Sequence, residues 1–533
     1  MEKRLILAIG VSILIVAVYS KISERYFPAP EQPVPVAQPV AAAAPATVNI
    51  VPPSSPVAQK AIVAPVSFTP EILASAEIDY NIAPPSGSIV KAVLNKFIDD
   101  ISKQPVTLLV VDRPGQGMLA IAGSAFFTKA LEGGSTLMRQ NGFDYTFSSG
   151  GRTIRKTLSR VKDKYFSEIE ISLDNNTGQN WLEQYEILAF STRLIPNNMD
   201  ARFEQIIIHA ADKVVRFPPA KIKSSQTLYS GNVDWVAFRT KHFAIMVKPD
   251  FPVNAVLGYR NDDQVSVAFT DNLQIAPAEK LVKKLTVYTG PNSLKDLQYN
   301  GLGLEKILDS GLIATSLLYV LHGLEKVTHN WGVSIILLSV IIYLVFFPLT
   351  SKGMSSMKRM QALSPQIEQL RKTYKDNPQK MNKEVMELYK KNKVNPFGGC
   401  LPMLIQIPIF FALYQTLMRS VELRGATFLW IHDLSLPDRL FILPKALPIL
   451  GNEINILPLL MGAGMFFQQK LSMVSVGQSQ QMEQQRMMST IMPVVFCFIF
   501  YRMPSGLVLY WLTNTVLMLI YYYKIRHLHT LQE

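Results

Sequence analysis

The hydrophobic residues of this 533-residue chain follow two different patterns. From residue 67 to about 300, short runs of apolar and β-branched residues alternate with Asn-rich turn clusters. Many short strands at even spacing predict a large β-sandwich domain. The clearest strand patterns are residues 106–111, 168–172, 235–238 and 264–269. Helical patterns are sparse in this part, and the candidates are residues 89–101 and 277–284.

From residue 330 onward, the apolar runs are longer and predict membrane-spanning helices. Another apolar run, residues 5–19, follows Lys3 and Arg4 and resembles a signal peptide. Because Val18-Tyr19-Ser20 offers no small-residue cleavage site, we expect an uncleaved anchor. Several runs are shorter than the roughly 20 apolar residues of a perpendicular span, which implies a locally thin bilayer. The predicted transmembrane segments are 1–27, 330–350, 397–420, 455–470, 490–503 and 504–523.

Segments of other composition connect these elements. Residues 28–66 are rich in Pro and Ala and almost free of charge, which predicts an extended linker. Residues 301–329 have a short apolar face between charged ends, which favours a helix lying on the membrane surface. The alternative is a last packed helix of the β-sandwich domain. The other connections are 351–396, 421–454 and 471–489, with a tail at 524–533.

The connection 351–396 holds much of the basic excess of the chain. Between residues 352 and 393 it has 11 Lys and Arg against four Asp and Glu, and the whole chain has a formal net charge of +13. Because short basic loops stay on the cytoplasmic side, we expect cytosolic termini and a β-sandwich domain on the outer side. Anionic lipid headgroups are the plainest partner for a basic face beside the membrane, with ribosomal RNA as an additional one.

Apolar residues recur at helical spacing within this basic connection. One stripe runs from Met354 to Tyr374, a second runs from Met381 to Leu388, and Pro378 separates them. The pattern predicts an antiparallel hairpin of two helices, which is either a stable loop or a Met-rich surface for varied apolar partners. The candidate contact residues are Met354, Met357, Lys358, Arg359, Met360, Arg371 and Lys372.

Polar residues also occur at membrane depth in the predicted spans. Uncompensated polar groups in hydrocarbon cost free energy, so such residues face the interior of a bundle. There they either join helices by hydrogen bonds or line a hydrophilic concavity. The central turns of the spans from residue 330 onward lack Asp, Glu, Lys and Arg, which disfavours an ion-coupled pump. The polar candidates are Ser339, Tyr343, Gln406, Gln415, Thr513 and Asn514.

Motifs of enzyme sites are missing from the sequence. It contains no Gly-Lys dipeptide of a P-loop, no His-Glu-x-x-His zinc motif and no Gly-x-Ser-x-Gly nucleophile elbow. Its two cysteines, Cys400 and Cys497, lie in or beside predicted spans, so the soluble domain has no disulfide framework. We therefore expect no catalytic residue, no metal, no cofactor and no DNA partner.

Several sequence blocks in the second half are specific in combination. They are Asn330-Trp331-Gly332, Pro348-Leu349-Thr350, Asn395-Pro396-Phe397-Gly398-Gly399-Cys400, Gln406-Ile407-Pro408-Ile409-Phe410, Leu429-Trp430-Ile431-His432-Asp433, Met465-Phe466-Phe467-Gln468-Gln469-Lys470 and Gly506-Leu507-Val508-Leu509-Tyr510-Trp511. In type and order they resemble the YidC/Oxa/Alb family of membrane insertases, in its Gram-negative form with a large periplasmic domain. The resemblance covers residues 331–523 closely and the soluble part more loosely.

The resemblance implies a polytopic α-helical membrane protein with an N-terminal anchor helix, a five-helix core bundle, a periplasmic β-supersandwich domain and a cytosolic helical hairpin. The implied function is insertion of newly synthesised proteins into the bacterial inner membrane through a hydrophilic groove, alone or with the Sec translocon. The implied partners are nascent inner-membrane proteins, the translocon and, transiently, the ribosome and targeting factors. The resemblance also adds Tyr510 and Trp511 to the candidate groove residues.

The sequence departs from the family pattern at one position that matters for the groove. Tyr343 stands between Ser339 and Pro348, where family members usually carry an arginine, so the predicted groove lacks that charge. The extra stretch 445–455 has no assigned role. A transporter or receptor with a ligand-binding periplasmic domain is the alternative function, but it predicts internal repeats or midplane charges that the sequence lacks. An envelope enzyme acting on carbohydrate would need paired carboxylates in one cleft.

Overall fold

The chain divides at Gly290 into two compact units, which are described separately. The predicted anchor 1–27 and linker 28–66 lie outside the described residues, as does most of the connection 471–489. The computed structural model describes residues 68–99, 103–161, 164–194, 199–261, 263–298, 301–308, 311–375, 377–395, 401–447, 451–472 and 491–530.

The first unit is built almost entirely from β-strands, which confirms the β-rich prediction for this part of the chain. Its strands are β1 (Glu71–Leu73), β2 (Ile78–Ala83), β3 (Ser88–Ile98), β4 (Pro105–Val110), β5 (Ile121–Ala122), β6 (Ser135–Arg139), β7 (Gly142–Ser149), β8 (Arg152–Arg160), β9 (Phe166–Asn175), β10 (Trp181–Arg193), β11 (Gln205–Ala210), β12 (Lys213–Phe217), β13 (Ser225–Ser230), β14 (Trp235–Arg239), β15 (Phe243–Pro249), β16 (Ala255–Asn261), β17 (Gln264–Ile275) and β18 (Glu279–Pro291). One helix, α1 (Ala125–Gly133), begins after Ser124, whose side chain accepts a hydrogen bond from the Phe126 amide.

Three sheets form this unit in the described residues. A nine-stranded sheet has the order β12-β11-β14-β15-β18-β9-β8-β7-β6, a five-stranded sheet the order β13-β16-β17-β10-β5, and a four-stranded sheet the order β1-β2-β3-β4. Large aromatic side chains, including Trp181, Tyr185 and Trp235, are fully buried. Their burial supplies the apolar core that a layered β structure needs.

Both helices predicted for this part are wrong. Residues 88–98 form β3, in which Ala92 and Leu94 are fully buried while Val93 between them is partly exposed. Residues 279–291 form β18, where Lys283, Leu285 and Val287 are buried in alternation. A period of two and β-branched residues favour a strand, and pairing with long neighbouring strands overrides a weak helical pattern.

The second unit is mostly helical, with one short hairpin. Its helices are α2 (Leu294–Leu297), α3 (Leu312–Thr328), α4 (Trp331–Ala362), α5 (Ser364–Thr373), α6 (Pro378–Lys391), α7 (Leu401–Arg419), α8 (Ile456–Ser472), α9 (Ile491–Phe500) and α10 (Ser505–Thr530), and its strands are β19 (Phe441–Leu447) and β20 (Gly451–Ile454). Within the described residues, segments Trp331–Ser356 and Ser505–Tyr523 are long and apolar enough to cross a membrane, and Ile491–Phe500 is a shorter apolar helix.

Helix α4 continues 12 residues beyond the end predicted at 350, to Ala362. Pro348 does not stop it, and α5 begins only at Ser364, with a proline in its first turn. The stripe from Met354 to Tyr374 is therefore divided between two helices, and its prediction as one helix is wrong. Asn377 then caps α6 by accepting a hydrogen bond from the Lys380 amide.

The helices of the second unit pack around an apolar core that α4, α7, α8 and α10 share. Ile335, Leu413, Met461 and Leu507 lie fully buried in it. Gly462 lets α8 approach α9 closely, since a methyl group at this position would overlap the Cys497 sulfur. In an apolar environment, close packing of helices depends on small residues at the points of contact.

Candidate functional site

A partly open cavity of about 330 Å³ lies between α4, α7, α8 and α10 of the second unit. Among the described residues, α4, α8 and α10 each contribute several side chains to its wall, and α7 contributes Gln406. On α10, Tyr510, Asn514, Met518 and Tyr522 recur every four residues, the spacing of one helical stripe. The full lining is Ile342, Tyr343, Phe346, Leu349, Thr350, Gly353, Met354, Gln406, Met465, Gln468, Tyr510, Trp511, Asn514, Thr515, Met518 and Tyr522.

The polar side chains of the wall form a patch across helices. The Gln406 amide on α7 donates a hydrogen bond to the Tyr510 hydroxyl on α10. The Asn514 amide donates to the Tyr510 carbonyl oxygen at 3.2 Å, one turn earlier in α10. Amide and phenol groups each have several hydrogen-bonding positions, so these contacts leave capacity for a further polar group in the cavity.

Methionines supply much of the remaining wall. Met354, Met465 and Met518 come from three different helices. Thioether side chains are flexible and polarisable, and they adapt to apolar partners of different shape. The cavity therefore combines a small hydrogen-bonding patch with a soft apolar surface.

No residue that lines the cavity, in the part of the chain that the structure describes, is Lys, Arg, Asp, Glu or His. Tyr343 contributes its ring beside Phe347, with 5.9 Å between ring centroids. Phe347 in turn lies 5.4 Å from the Tyr521 ring, measured between centroids. Hydroxyl and amide groups, rather than a formal charge, give the cavity its polarity.

The cavity lies toward one end of the helical unit. It involves the C-terminal halves of the apolar segments of α4 and α8, Gln406 in the N-terminal half of α7, and residues from Tyr510 to Tyr522 along α10. The C-terminal end of α4 leads into the basic helices α5 and α6, which precede α7 in the chain. Leu363 and Ile367 pack with Val394 there, and the Ser356 hydroxyl donates to the Asn395 carbonyl oxygen at 2.9 Å.

The connection 421–454 holds the opposite end of the helical unit together. The buried carboxylate of Asp438 accepts hydrogen bonds from the amides of Ile456 and Leu457 at 2.8 and 3.0 Å, which caps α8. The amides of Ser505 and Gly506, at the start of α10, donate to carbonyl oxygens in the same connection at 2.7 and 3.0 Å. Backbone groups at these helix ends are thus satisfied within the protein.

Five of the eight candidate groove residues line the cavity: Tyr343, Gln406, Tyr510, Trp511 and Asn514. The other three do not. Ser339 is fully buried and donates to the Ile335 carbonyl oxygen of its own helix at 2.7 Å, and Thr513 donates to Leu509 in the same way at 2.8 Å. Gln415 is exposed on α7. Their assignment to a groove is thus not supported by their positions.

The candidate hairpin residues are also distributed over two environments. Met354 is buried in the wall of the cavity rather than on the surface of α5 and α6. Arg359, Arg371 and Lys372 are exposed, and Met360 packs against the cluster between α5 and α6. The side chains of Met357 and Lys358 lie outside the described part of the structure.

Gln468, Met465 and Met518 also line the cavity and are not among the residues predicted from the sequence. Gln468 is a polar residue in the predicted span 455–470 and lies three residues after Met465, so polarity and helical spacing could have identified both. A group of three or more His, Cys, Asp or Glu side chains able to hold a metal does not occur among the described residues.

Both units match known protein families. Residues 73–321 match the family model of the YidC periplasmic domain, and residues 323–532 match that of the 60 kDa inner membrane protein. A membrane protein insertase YidC of Pelobacter propionicus is 38% identical, over 70% of this chain and 69% of the relative. That of Geobacter metallireducens is 33% identical, over 98% of this chain and 97% of the relative. The chain belongs to the YidC membrane insertase family.

A crystal structure of an active YidC insertase with its first transmembrane domain resolved is 18% identical and covers 86% of this chain and 94% of its own, with a TM-score of 0.39. Because that structural similarity is low, the family assignment rests on the sequence relatives. YidC proteins are inner-membrane insertases with a periplasmic domain, and the predicted function and family are confirmed. This membership does not support the transporter, receptor or carbohydrate-enzyme alternatives.

Proposed function

We propose that the cavity between α4, α7, α8 and α10 is the surface on which this insertase receives the polar part of a client membrane protein. The observation that carries the proposal is the hydrogen-bonding patch of Gln406, Tyr510 and Asn514 in the cavity wall. Polar chain in hydrocarbon is costly, and a charged residue at the centre of a span costs about 2.5–3.5 kcal/mol on the insertion scale. A cavity that offers water and hydrogen bonds lowers that barrier.

The direction of entry follows from the two ends of the helical unit. The cavity lies toward the end that carries α5 and α6, while the connection 421–454 joins the helices at the other end. The proposed groove is therefore open to the cytosol and the bilayer, and closed toward the periplasm. A client hairpin would place its polar loop in the cavity and its apolar flanks against the methionines and the lipid.

The proposed topology has cytosolic termini, an anchor at 1–27, and five core spans formed by α4, α7, α8, α9 and α10. The 11 basic residues between positions 352 and 393 support a cytosolic position for α5 and α6. Helix α3 would lie on the outer membrane surface, since exposed Leu312 and Tyr319 accompany buried Leu318 and Leu321 on one helix.

The proposed partners are distributed over the cytosolic surface and the membrane. Exposed Arg359, Arg371 and Lys372 suit anionic lipids and transient contact with the ribosome or targeting factors. Nascent inner-membrane proteins would occupy the cavity, alone or delivered from the Sec translocon. The composition of the cavity wall supports apolar as well as uncharged polar segments as ligands.

Two glutamines of α7 provide a matched test of the cavity. Gln406→Leu removes the amide that reaches Tyr510, whereas Gln415→Leu makes the same change at an exposed position nine residues later. Each variant is reconstituted into vesicles, and insertion of a small client with a polar N-terminal tail is followed as a protease-protected fragment. We expect reduced insertion with Gln406→Leu alone. Equal activity of the two variants would refute the role of the cavity.

A further inference from the structure

The hairpin formed by β19 and β20 has no role in the proposed groove and differs from an ordinary water-exposed hairpin. Phe441 and Ile442 are adjacent in β19 and are 62% and 68% exposed. They pair antiparallel with Ile454 and Glu453, and the register shifts beyond Ile442. Adjacent strand residues point to opposite faces, so each face of the hairpin presents a large apolar side chain.

Because apolar side chains are exposed on both faces of the hairpin, its preferred surroundings can be inferred. A hairpin packed on protein buries one face and presents a polar face to water. Here neither Phe441 nor Ile442 is buried by the protein, and Pro444 and Lys445 beyond them are also exposed. An apolar environment on both sides suits the three apolar side chains, provided that the Lys445 ammonium reaches water or phosphate.

The base of the hairpin is held firmly to the helical unit. The Arg439 guanidinium pairs with the Glu453 carboxylate at 2.8 Å, and the Arg439 amide donates to the Asn455 side chain at 2.9 Å. The Tyr501 hydroxyl donates to the Glu453 carbonyl oxygen at 2.9 Å, which ties the hairpin to the end of α9. Because α8 begins at Ile456, two residues after β20, the hairpin starts at the level where a proposed span ends.

We propose that the β19–β20 hairpin inserts into the lipid headgroup boundary beside the helical unit, with Phe441 and Ile442 in contact with lipid. In the described residues its sheet has two strands, so backbone groups remain at both edges. Such groups need water or headgroup partners, which limits the hairpin to the interface and keeps it out of the hydrocarbon centre. Pro444 removes one of these N–H donors. The assignment to the outer leaflet rests on the proposed topology.

Lipid contact can be measured directly in vesicles of phosphatidylethanolamine and phosphatidylglycerol. An environment-sensitive fluorophore is attached to Ile442→Cys, and separately to Phe441→Cys, in the full chain with Cys400 and Cys497 replaced by Ser. Quenching is compared between a lipid that carries a nitroxide near its headgroup and aqueous iodide. The reference positions are Leu344→Cys, exposed on α4 within a proposed span, and Glu132→Cys, exposed in the β-rich unit.

We expect the labels at 441 and 442 to lose fluorescence with the nitroxide lipid, as at 344, and to resist iodide. Iodide quenching equal to that at 132 would place the hairpin in water and overturn the proposal. Protection from both quenchers would also overturn it, because a protein partner or a second copy of the chain would then cover the hairpin. Iodide quenching at 344 would instead contradict the proposed spans, and the nitroxide result at 442 would still decide the hairpin.

Discussion

The buried lysine of the β-rich unit gives a prediction about stability and pH. Lys156 on β8 is 2% exposed, and its ammonium donates to the carbonyl oxygens of Ser86 and Leu119 at 2.7 and 2.9 Å. The same nitrogen lies 4.8 Å from the centre of the Tyr145 ring. Burial lowers the pKa of Lys156 from 10.5 to about 7.

The direction of the effect follows from proton binding in the two states. Between pH 7 and 10.5 the unfolded lysine is protonated while the folded lysine is increasingly neutral, so the unfolded state binds more protons. The free energy of unfolding therefore rises with pH in this window, by about 1.4 kcal/mol per pH unit at most. Below pH 7 both states are charged, and the full cost of burial, about 5 kcal/mol, remains.

Lys156→Met removes the charge and keeps a side chain of similar length. The variant and the natural protein are unfolded by denaturant at pH 7, 8 and 9, with fluorescence of the buried Trp181 and Trp235 as the signal. We expect the variant to gain most at pH 7 and to lose the pH dependence that Lys156 causes. Lys280→Met, at an exposed position on β18, is the control and should leave that dependence unchanged. Parallel pH profiles of the natural protein and Lys156→Met would refute the reasoning.

Two further predictions concern the helical unit. The first uses the chain with Cys400 and Cys497 replaced. Tyr343→Cys should react with a water-borne thiol reagent, while the neighbouring Leu344→Cys, exposed on another face of α4, should stay protected. Equal protection of both cysteines would argue for a dry cavity. Asp438→Ala should destabilise the helical unit by about 2–4 kcal/mol, because the α8 cap and the hydrogen bond from the Trp430 indole are lost together. Asp438→Asn should lower the free energy of unfolding by less. Thermal unfolding in detergent measures the loss, and an unchanged midpoint for Asp438→Ala would contradict it.

The strands of the first unit could be predicted where apolar and polar residues alternate regularly along the sequence. Residues 264–269 alternate clearly and lie in β17, and residues 168–172 lie in β9. The helix prediction for residues 89–101 was wrong because their Lys and Asn residues recur at a spacing that also fits a helix. The strand is stabilised by pairing with β2 and β4 on either side, and the pattern within residues 89–101 alone does not contain that information.

In the second unit, the end of an apolar run was not the end of its helix. Hydropathy falls at residue 350, yet α4 continues to Ala362 because residues 351–362 contain no proline and only one glycine. Hydropathy reports the solvent around a helix, whereas helix length depends on propensity and capping. For that reason Met354 was predicted on the basic hairpin and lies in the cavity wall.

Among the polar residues at membrane depth, helical position separates those in the cavity from those in the core. Ser339 lies four residues after Ile335 and three before Ile342, both of which are buried, so it shares the packed face of α4. Tyr343 lies one turn after Ser339, and Ile342 and Tyr343 are the first residues along α4 in the described lining, so position along the helix places Tyr343 at the cavity. A hydroxyl that bonds to its own helix gives the same sequence signal as one that faces water.

The uncharged wall constrains how a client could be held, if the cavity is its binding surface. A fixed cation would attract acidic tails and repel basic ones, but the polar groups of the described lining are uncharged amides and hydroxyls. Dipolar groups can turn to solvate either sign, so selection among clients would depend on the number of charges rather than their sign. Each additional charge must keep its own water in a space of about 330 Å³, which limits how many can be accommodated at once. We therefore expect the natural protein to insert clients with acidic and with basic tails equally, and Tyr343→Arg to favour the clients with acidic tails.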